Sequence, residues 1–132
     1  MRLIATSFIT LDGVMEAPGY DEHRDGRNAW ALRVQDDETE QYNIDLVLGA
    51  DAVLFGRTTY QIWAAFWPTA PVESPITGPI NDIPKYVASK TLERADWNNT
   101  TILRGDVAAE IRRLKAQPGG ELLLYGSADL LA

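Results

Sequence analysis

Short apolar runs separated by helical patterns constrain this chain more than any other feature. Ala52-Val53-Leu54-Phe55 and Leu122-Leu123-Leu124-Tyr125 are apolar without alternation. A strand with one wet face alternates apolar with polar residues, whereas a strand covered on both faces does not. Arg2–Thr10, Lys85–Ala88 and Thr100–Leu103 complete the set of expected strands. Between them lie helical patterns. Asp37–Leu48 carries Tyr42, Ile44, Leu46 and Leu48, and Thr58–Phe66 places Tyr60, Ile62, Trp63 and Phe66 near one side. Val107, Ile111 and Leu114 recur at helical spacing, with Asp106 as N-cap and Pro118-Gly119-Gly120 as the stop. A last helix starts near Ala128. Strands alternating with helices predict an α/β fold on a mostly parallel sheet. Gly13–Asn28 and Pro68–Pro84 carry the glycines, prolines and charges expected of loops. No linker divides the chain, so a single domain over residues 1–132 is expected.

Charge and composition remove several function classes. A net charge of −7 argues against non-specific nucleic-acid binding, which needs a basic face. The chain has no cysteine and one histidine, His23, so thiolate sites and imidazole-based metal sites are excluded. The N-terminal run Met1–Thr6 is amphipathic rather than a signal peptide, and no apolar stretch is long enough for a membrane span. A cytosolic protein is expected. With 12 Lys and Arg in all, any phosphorylated ligand must be held by a few locally placed cations.

Three clusters follow expected strands, at the edge where open α/β sheets bind ligands. Phe55-Gly56-Arg57-Thr58-Thr59-Tyr60 leaves a buried strand and opens a helix. Gly56 admits a close ligand, the helix N-terminus favours an anion, and Arg57 offers a planar fork for phosphate. Val87-Ala88-Ser89-Lys90-Thr91 places hydroxyls around a cation, a fit for a 2′-phosphate. Tyr125-Gly126-Ser127-Ala128 is again strand end, small residues and helix start, without the full Gly-x-Gly-x-x-Gly fingerprint. Each alone also reads as an ordinary capped turn; their shared position favours a ligand. Thr10-Leu11-Asp12-Gly13-Val14 closes the first strand, and Asp12 is either a turn residue or an orienting group for a polar heterocycle. Trp63, Phe66 and Trp67 either wall a pocket or belong to the core. Arg104-Gly105-Asp106 reads as strand end, turn and N-cap, and Asp36-Asp37-Glu38 as a helix N-terminus.

On these residues the chain resembles the dihydrofolate-reductase-like family, specifically the reductase domain of riboflavin-biosynthesis proteins (the RibD C-terminal type) in its small stand-alone bacterial form. Matching segments are Thr10–Gly13, Leu54–Tyr60, Ala65–Pro68, Lys85–Leu92, and Leu114-Lys115 followed by Gly119 through Ser127. The resemblance implies a three-layer α/β/α fold and NADPH as hydride donor. It places Gly56, Arg57 and Thr58 at the adenosine-side phosphates, Ser89 and Lys90 at the 2′-phosphate, and Gly126, Ser127 and Ala128 at the pyrophosphate. Ala5 faces the nicotinamide and Asp12 lies near the substrate, as the catalytic candidate.

The implied reaction is hydride transfer to a small heterocyclic or ribosyl substrate, as in 5-amino-6-(5-phosphoribosylamino)uracil reductase. Pterin reduction, a non-catalytic member and another nucleotide-binding α/β domain are the alternatives. Asp36, Asp37, Glu38 and Glu40 do not match by motif the acid that pterin reductases carry. The resemblance also implies a homodimer. The family fold runs on past Ala132 through a helix and closing strands, so an open sheet edge is expected.

Overall fold

The apolar runs form a parallel sheet because both of their faces are covered. The computed structural model describes residues 1–16, 18–19 and 30–132. The expected loop Gly13–Asn28 is therefore described only in part, and His23 lies outside the described residues. The strands are β1 Arg2–Thr6, β2 Ala52–Gly56, β3 Lys85–Ala88, β4 Thr100–Leu103 and β5 Glu121–Tyr125. Their order is β1-β5-β2-β3-β4, and every pairing is parallel. The helices are α1 Asp37–Gly49, α2 Arg57–Phe66, α3 Thr77–Asp82, α4 Val107–Lys115 and α5 Ala128–Leu131.

Alternate residues of one strand enter opposite cores. Val53, Phe55, Val87 and Leu123 meet Val47 of α1, Tyr60 of α2, Ile80 of α3 and Trp97. Ala52, Leu54, Leu103, Leu122 and Leu124 meet Leu114 of α4, with Leu130 of α5 beside them. This is the three-layer α/β/α arrangement of the dihydrofolate-reductase-like fold. Burying side chains such as Leu54 and Phe55 contributes roughly 1.5–3 kcal/mol each, which makes β2 the anchor of both layers.

Two expectations change. The first strand ends at Thr6 rather than Thr10, because its partner β5 ends at Tyr125, opposite Thr6. Beyond that point the chain has no ladder to join. The Pro68–Pro84 segment is not wholly irregular. It holds a 3₁₀ turn at Trp67–Thr69 and the helix α3, which buries Ile80 completely. Pro79 is compatible with that helix because it sits in the first turn, where a backbone N–H has no intrahelical acceptor.

The other helix limits agree with the periodicity to within one residue. Asp36 and Asp106 cap α1 and α4, accepting from Thr39 N at 2.8 Å and Ala109 N at 3.1 Å. No helix among the described residues is long and apolar enough to cross a membrane.

Candidate functional site at the carboxyl edge of the sheet

The topology offers a candidate place for a ligand. Strands β5 and β2 are neighbours, yet β2 runs into α2 on one face while β5 runs into α5 on the other. Adjacent strands whose exits diverge leave a crevice at their carboxyl ends. Gly56 closes β2 on one side of it, and Gly126 and Ser127 follow β5 on the other.

The two sides are stitched together. Gly56 N donates to Ser127 Oγ at 2.8 Å, and Ser127 Oγ donates to Tyr125 O at 3.1 Å. Gly126 N donates to Thr6 O at 2.8 Å, tying in β1. Gly126 and Ser127 both have left-handed φ, 58° and 60°. A Cβ on Gly56 would lie 3.3 Å from Ser127 Cβ and Oγ, and one on Gly126 would lie 3.5 Å from Thr59 Oγ1. The close approach of the two turns favours a missing Cβ at Gly56, and the left-handed φ favours glycine at Gly126. The Ser127 hydroxyl is fully engaged by the protein, so a phosphate at this turn would meet backbone rather than that hydroxyl.

The helix starting at the crevice differs from the other long ones. Helices α1 and α4 have aspartate caps, whereas α2 begins at Gly56 with no side-chain cap. Its first-turn N–H groups thus lack the partner the other two helices supply from within. Thr58 is exposed on that turn, Thr59 is half-buried, and no acidic residue lies there. A helix N-terminus with open donors and no local carboxylate favours an anion.

Cations stand around it. Arg57 is exposed, and its guanidinium donates to Thr91 Oγ1 at 2.7 Å, joining the start of α2 to the turn after β3. In that turn Ser89 Oγ accepts from Leu92 N at 3.0 Å and from Thr91 N at 3.3 Å, so Ser89 shapes the turn. Lys90 is exposed at its tip. Arg104, past the end of β4, donates to Glu93 O at 2.8 Å and braces the same segment. Three basic side chains thus gather at one edge of an acidic chain.

The remaining candidates fall at varying distances from the crevice. Ala5 is exposed on β1 and lies in register with Leu124, one strand from Gly56. Ala128 is exposed at the first position of α5. Asp12 sits in a solvent-exposed turn, where Thr10 Oγ1 donates to its carboxylate at 2.5 Å and Val14 N donates to Thr10 Oγ1 at 2.8 Å. The Thr10 hydroxyl holds the Asp12 carboxyl below its ordinary value. No bond joins Asp12 to the Gly56–Ser127 seam.

The aromatic cluster divides. Trp63 packs on Phe55 and Tyr125, with ring centroids 5.2 and 4.7 Å apart, while Phe66 is 55% exposed. Trp63 therefore belongs to core and edge together, and Phe66 to the surface.

Three residues of this edge stand beyond those to which the family resemblance gave a role. Thr59 contacts Gly126, Thr91 takes the Arg57 bond, and Asn43 of α1 accepts from the Tyr125 hydroxyl at 3.2 Å. Thr59 and Thr91 stood inside the quoted motifs; no local signal marks Asn43, which is 82 positions from its partner.

An open cleft of about 420 Å³ lies elsewhere, between Tyr60, Gln61 and Ala64 of α2 and Leu92, Arg94 and Trp97. None of the candidate residues lines it, and its Arg94 is already paired with Asp96 at 2.8 Å. The uncapped helix start and the cations make the sheet edge, rather than this cleft, the candidate site. Among the described residues, no group of three or more His, Cys, Asp or Glu side chains is arranged to hold a metal ion.

Comparison with known proteins agrees with this architecture. The chain is 26% identical over 133 residues to YyaP, an uncharacterized protein of Bacillus subtilis (strain 168), covering 98% of this chain and 65% of that protein. It superposes with a TM-score of 0.57 on the crystal structure of a Shewanella sp. PV-4 protein provisionally described as one of riboflavin biosynthesis. That match has 21% sequence identity and covers 92% of this chain and 61% of the other, so it speaks for the fold alone. The chain thus spans just under two thirds of the length of either protein. The RibD C-terminal domain family matches residues 2–132, nearly every position of the chain, and the chain belongs to that family.

Proposed function

We propose that this protein is an NADPH-dependent reductase that transfers hydride to a small heterocyclic or ribosyl substrate, in the manner of a riboflavin-biosynthesis reductase. One observation carries the reading. The N-terminus of α2 lies uncapped at the crevice between β2 and β5, with Arg57 beside it. A phosphorylated cofactor needs such donors, and an acidic chain with a net charge of −7 has few places to offer them.

The residues present fit the cofactor. Backbone N–H groups of Arg57 and Thr58 and the Arg57 guanidinium would hold adenosine-side phosphate. Ser89 and Lys90 would hold the 2′-phosphate, with Thr91 aligning Arg57. The turn at Gly126, Ser127 and Ala128 would pass the pyrophosphate close to backbone, and Ala5 would leave room for the nicotinamide. NADPH supplies the hydride, which reduces a carbonyl- or imine-type carbon. The protein's contribution is to position and to exclude alternatives.

Asp12 fits the role of an acceptor better than that of a proton donor. Its carboxyl is held ionised by Thr10, so at neutral pH it orients a substrate hydroxyl or N–H, and water supplies the proton.

Titration calorimetry with NADPH tests the reading. The wild-type chain is expected to bind, and Arg57→Ala to bind at least about tenfold more weakly, the loss expected for a hydrogen bond to a charged group. Absence of heat at millimolar NADPH would remove the reductase reading in this form.

A further inference from the structure

Tyr125, Asn43 and Trp63 form a group that the phosphate-binding arrangement does not use. Tyr125 is the last residue of β5, directly ahead of Gly126. It is half-buried on the face covered by α1, α2 and α3, with its ring against Trp63. Trp63 continues to Trp67 at 5.7 Å, and Trp67 to the exposed Phe66 at 5.0 Å. A row of rings therefore runs from solvent to the phenol at the strand end.

Asn43 fixes the direction of the phenol's hydrogen bond. Its Nδ2 donates to Thr39 O at 3.0 Å, which sets the amide with Oδ1 toward β5. Oδ1 then accepts from the Tyr125 hydroxyl at 3.2 Å. An amide oxygen cannot donate, so the phenol must give its hydrogen to Asn43 and keep its lone pairs for another partner. Burial pushes the Tyr125 phenol up to about 12, so the hydroxyl stays neutral through the working pH range. No charged side chain shares a bond with Tyr125.

We infer that the Tyr125 hydroxyl is a specificity-determining acceptor that selects a neutral ring substrate presenting an N–H donor, with Asn43 as the positioning residue that fixes its polarity. The inference rests on the reductase reading of the same edge, because that reading brings the nicotinamide to Ala5, next to the Thr6 that pairs with Tyr125, and the substrate ring must meet the nicotinamide. At the Tyr125 hydroxyl itself a phosphate or carboxylate would meet only lone pairs, because its hydrogen is given to Asn43. A ring stripped of N–H donors would leave them unpaired.

Uracil and 1,3-dimethyluracil test this directly. They share a ring, and methylation removes both N–H donors. Their affinities are read by NMR titration on wild type, Tyr125→Phe and Asn43→Ala, with orotate as the anionic arm. Wild type is expected to prefer uracil by about 3- to 10-fold, the worth of one neutral hydrogen bond. Tyr125→Phe keeps the ring and is expected to abolish the preference. Asn43→Ala, which frees the phenol to donate, is expected to collapse the same ratio without abolishing binding. A purely packing role for Tyr125 would leave the ratio unchanged in both variants.

Equal binding of the two rings by wild type, tighter binding of orotate, a preference that survives in Tyr125→Phe, or no uracil binding at all would each overturn the inference. NADPH calorimetry on the same samples judges the reductase reading separately. Uracil selectivity without NADPH binding removes that reading alone, and NADPH binding without selectivity removes this inference alone.

Discussion

Lys85 is a charged side chain where the sequence pattern asks for an apolar one. It opens β3 on the same face as Val87 and is fully buried. Its ammonium donates to Ile83 O at 2.7 Å and Asn81 O at 2.9 Å, and lies 4.7 Å from the Trp97 ring centroid. Lysine thus satisfies carbonyls at the C-terminal end of α3, where a cation is also favoured by the helix dipole. Burial lowers its pKa to about 8, against the opposing pull of Asp82.

A lowered folded-state value has a definite consequence for stability. Below about pH 8 the lysine is charged in both states and gives no slope. Between about 8 and the ordinary value of 10.5, the unfolded chain binds the extra proton, so unfolding becomes harder as pH rises. The stability of wild type relative to Lys85→Met is therefore expected to be flat through neutral pH. It should climb by roughly 3 kcal/mol at most across that alkaline window, at 1.36 kcal/mol per unit. Urea unfolding of the two proteins at matched pH checks this, and a flat difference up to pH 10.5 would refute it.

At the scale of elements, the join between β5 and α5 decides how the site is built. Ser127 occupies a left-handed conformation that costs a non-glycine residue about 1–2 kcal/mol, and its hydroxyl bridges Gly56 N and Tyr125 O. Removing the hydroxyl leaves both backbone groups short of a partner in a half-buried place. Ser127→Ala keeps the strain and loses the bridge, whereas Ser127→Gly loses the bridge and relieves the strain. Glycine is therefore expected to be the milder change by about 1 kcal/mol in denaturant unfolding, in the same direction as the N-cap preference for glycine over alanine. An alanine variant as stable as the glycine one would refute the strain.

That join also marks what was legible beforehand. Leu122-Leu123-Leu124 announced a strand covered on both faces, and Gly126-Ser127 announced a turn. The stitch to Gly56, 71 positions away, had no local trace. Helix α3 was hidden for a related reason. Its Thr-Gly-Pro-Ile-Asn-Asp sequence is poor in helix formers, and it is a helix because Ile80 and the Asn81 side-chain bonds dock it. The early end of β1 was set by its partner strand rather than by its own apolar residues.

Across the whole molecule, the order of crossovers places the site. The chain steps from β1 to β2, β3 and β4 with α1, α2 and α3 on one face, then returns through α4 on the other to insert β5 between β1 and β2. Right-handed crossovers require the return path to change face, and that change makes the crevice between β2 and β5. The same return leaves β1 paired on one side only among the described residues. In the segment that follows β1, Ile9 is 59% exposed and Leu11 has no cover at all. An unpaired edge beside exposed apolar side chains is a surface for association. The 132-residue chain is therefore expected to sediment as a dimer, and Ile9→Lys with Leu11→Lys to shift it to monomer. Since both side chains are exposed, the unfolding free energy of the monomeric unit should change by no more than about 0.5 kcal/mol. Sedimentation equilibrium of both proteins over a concentration series separates the outcomes. A wild type that stays monomeric at high concentration, or a double variant that still dimerises, would exclude this edge as the interface.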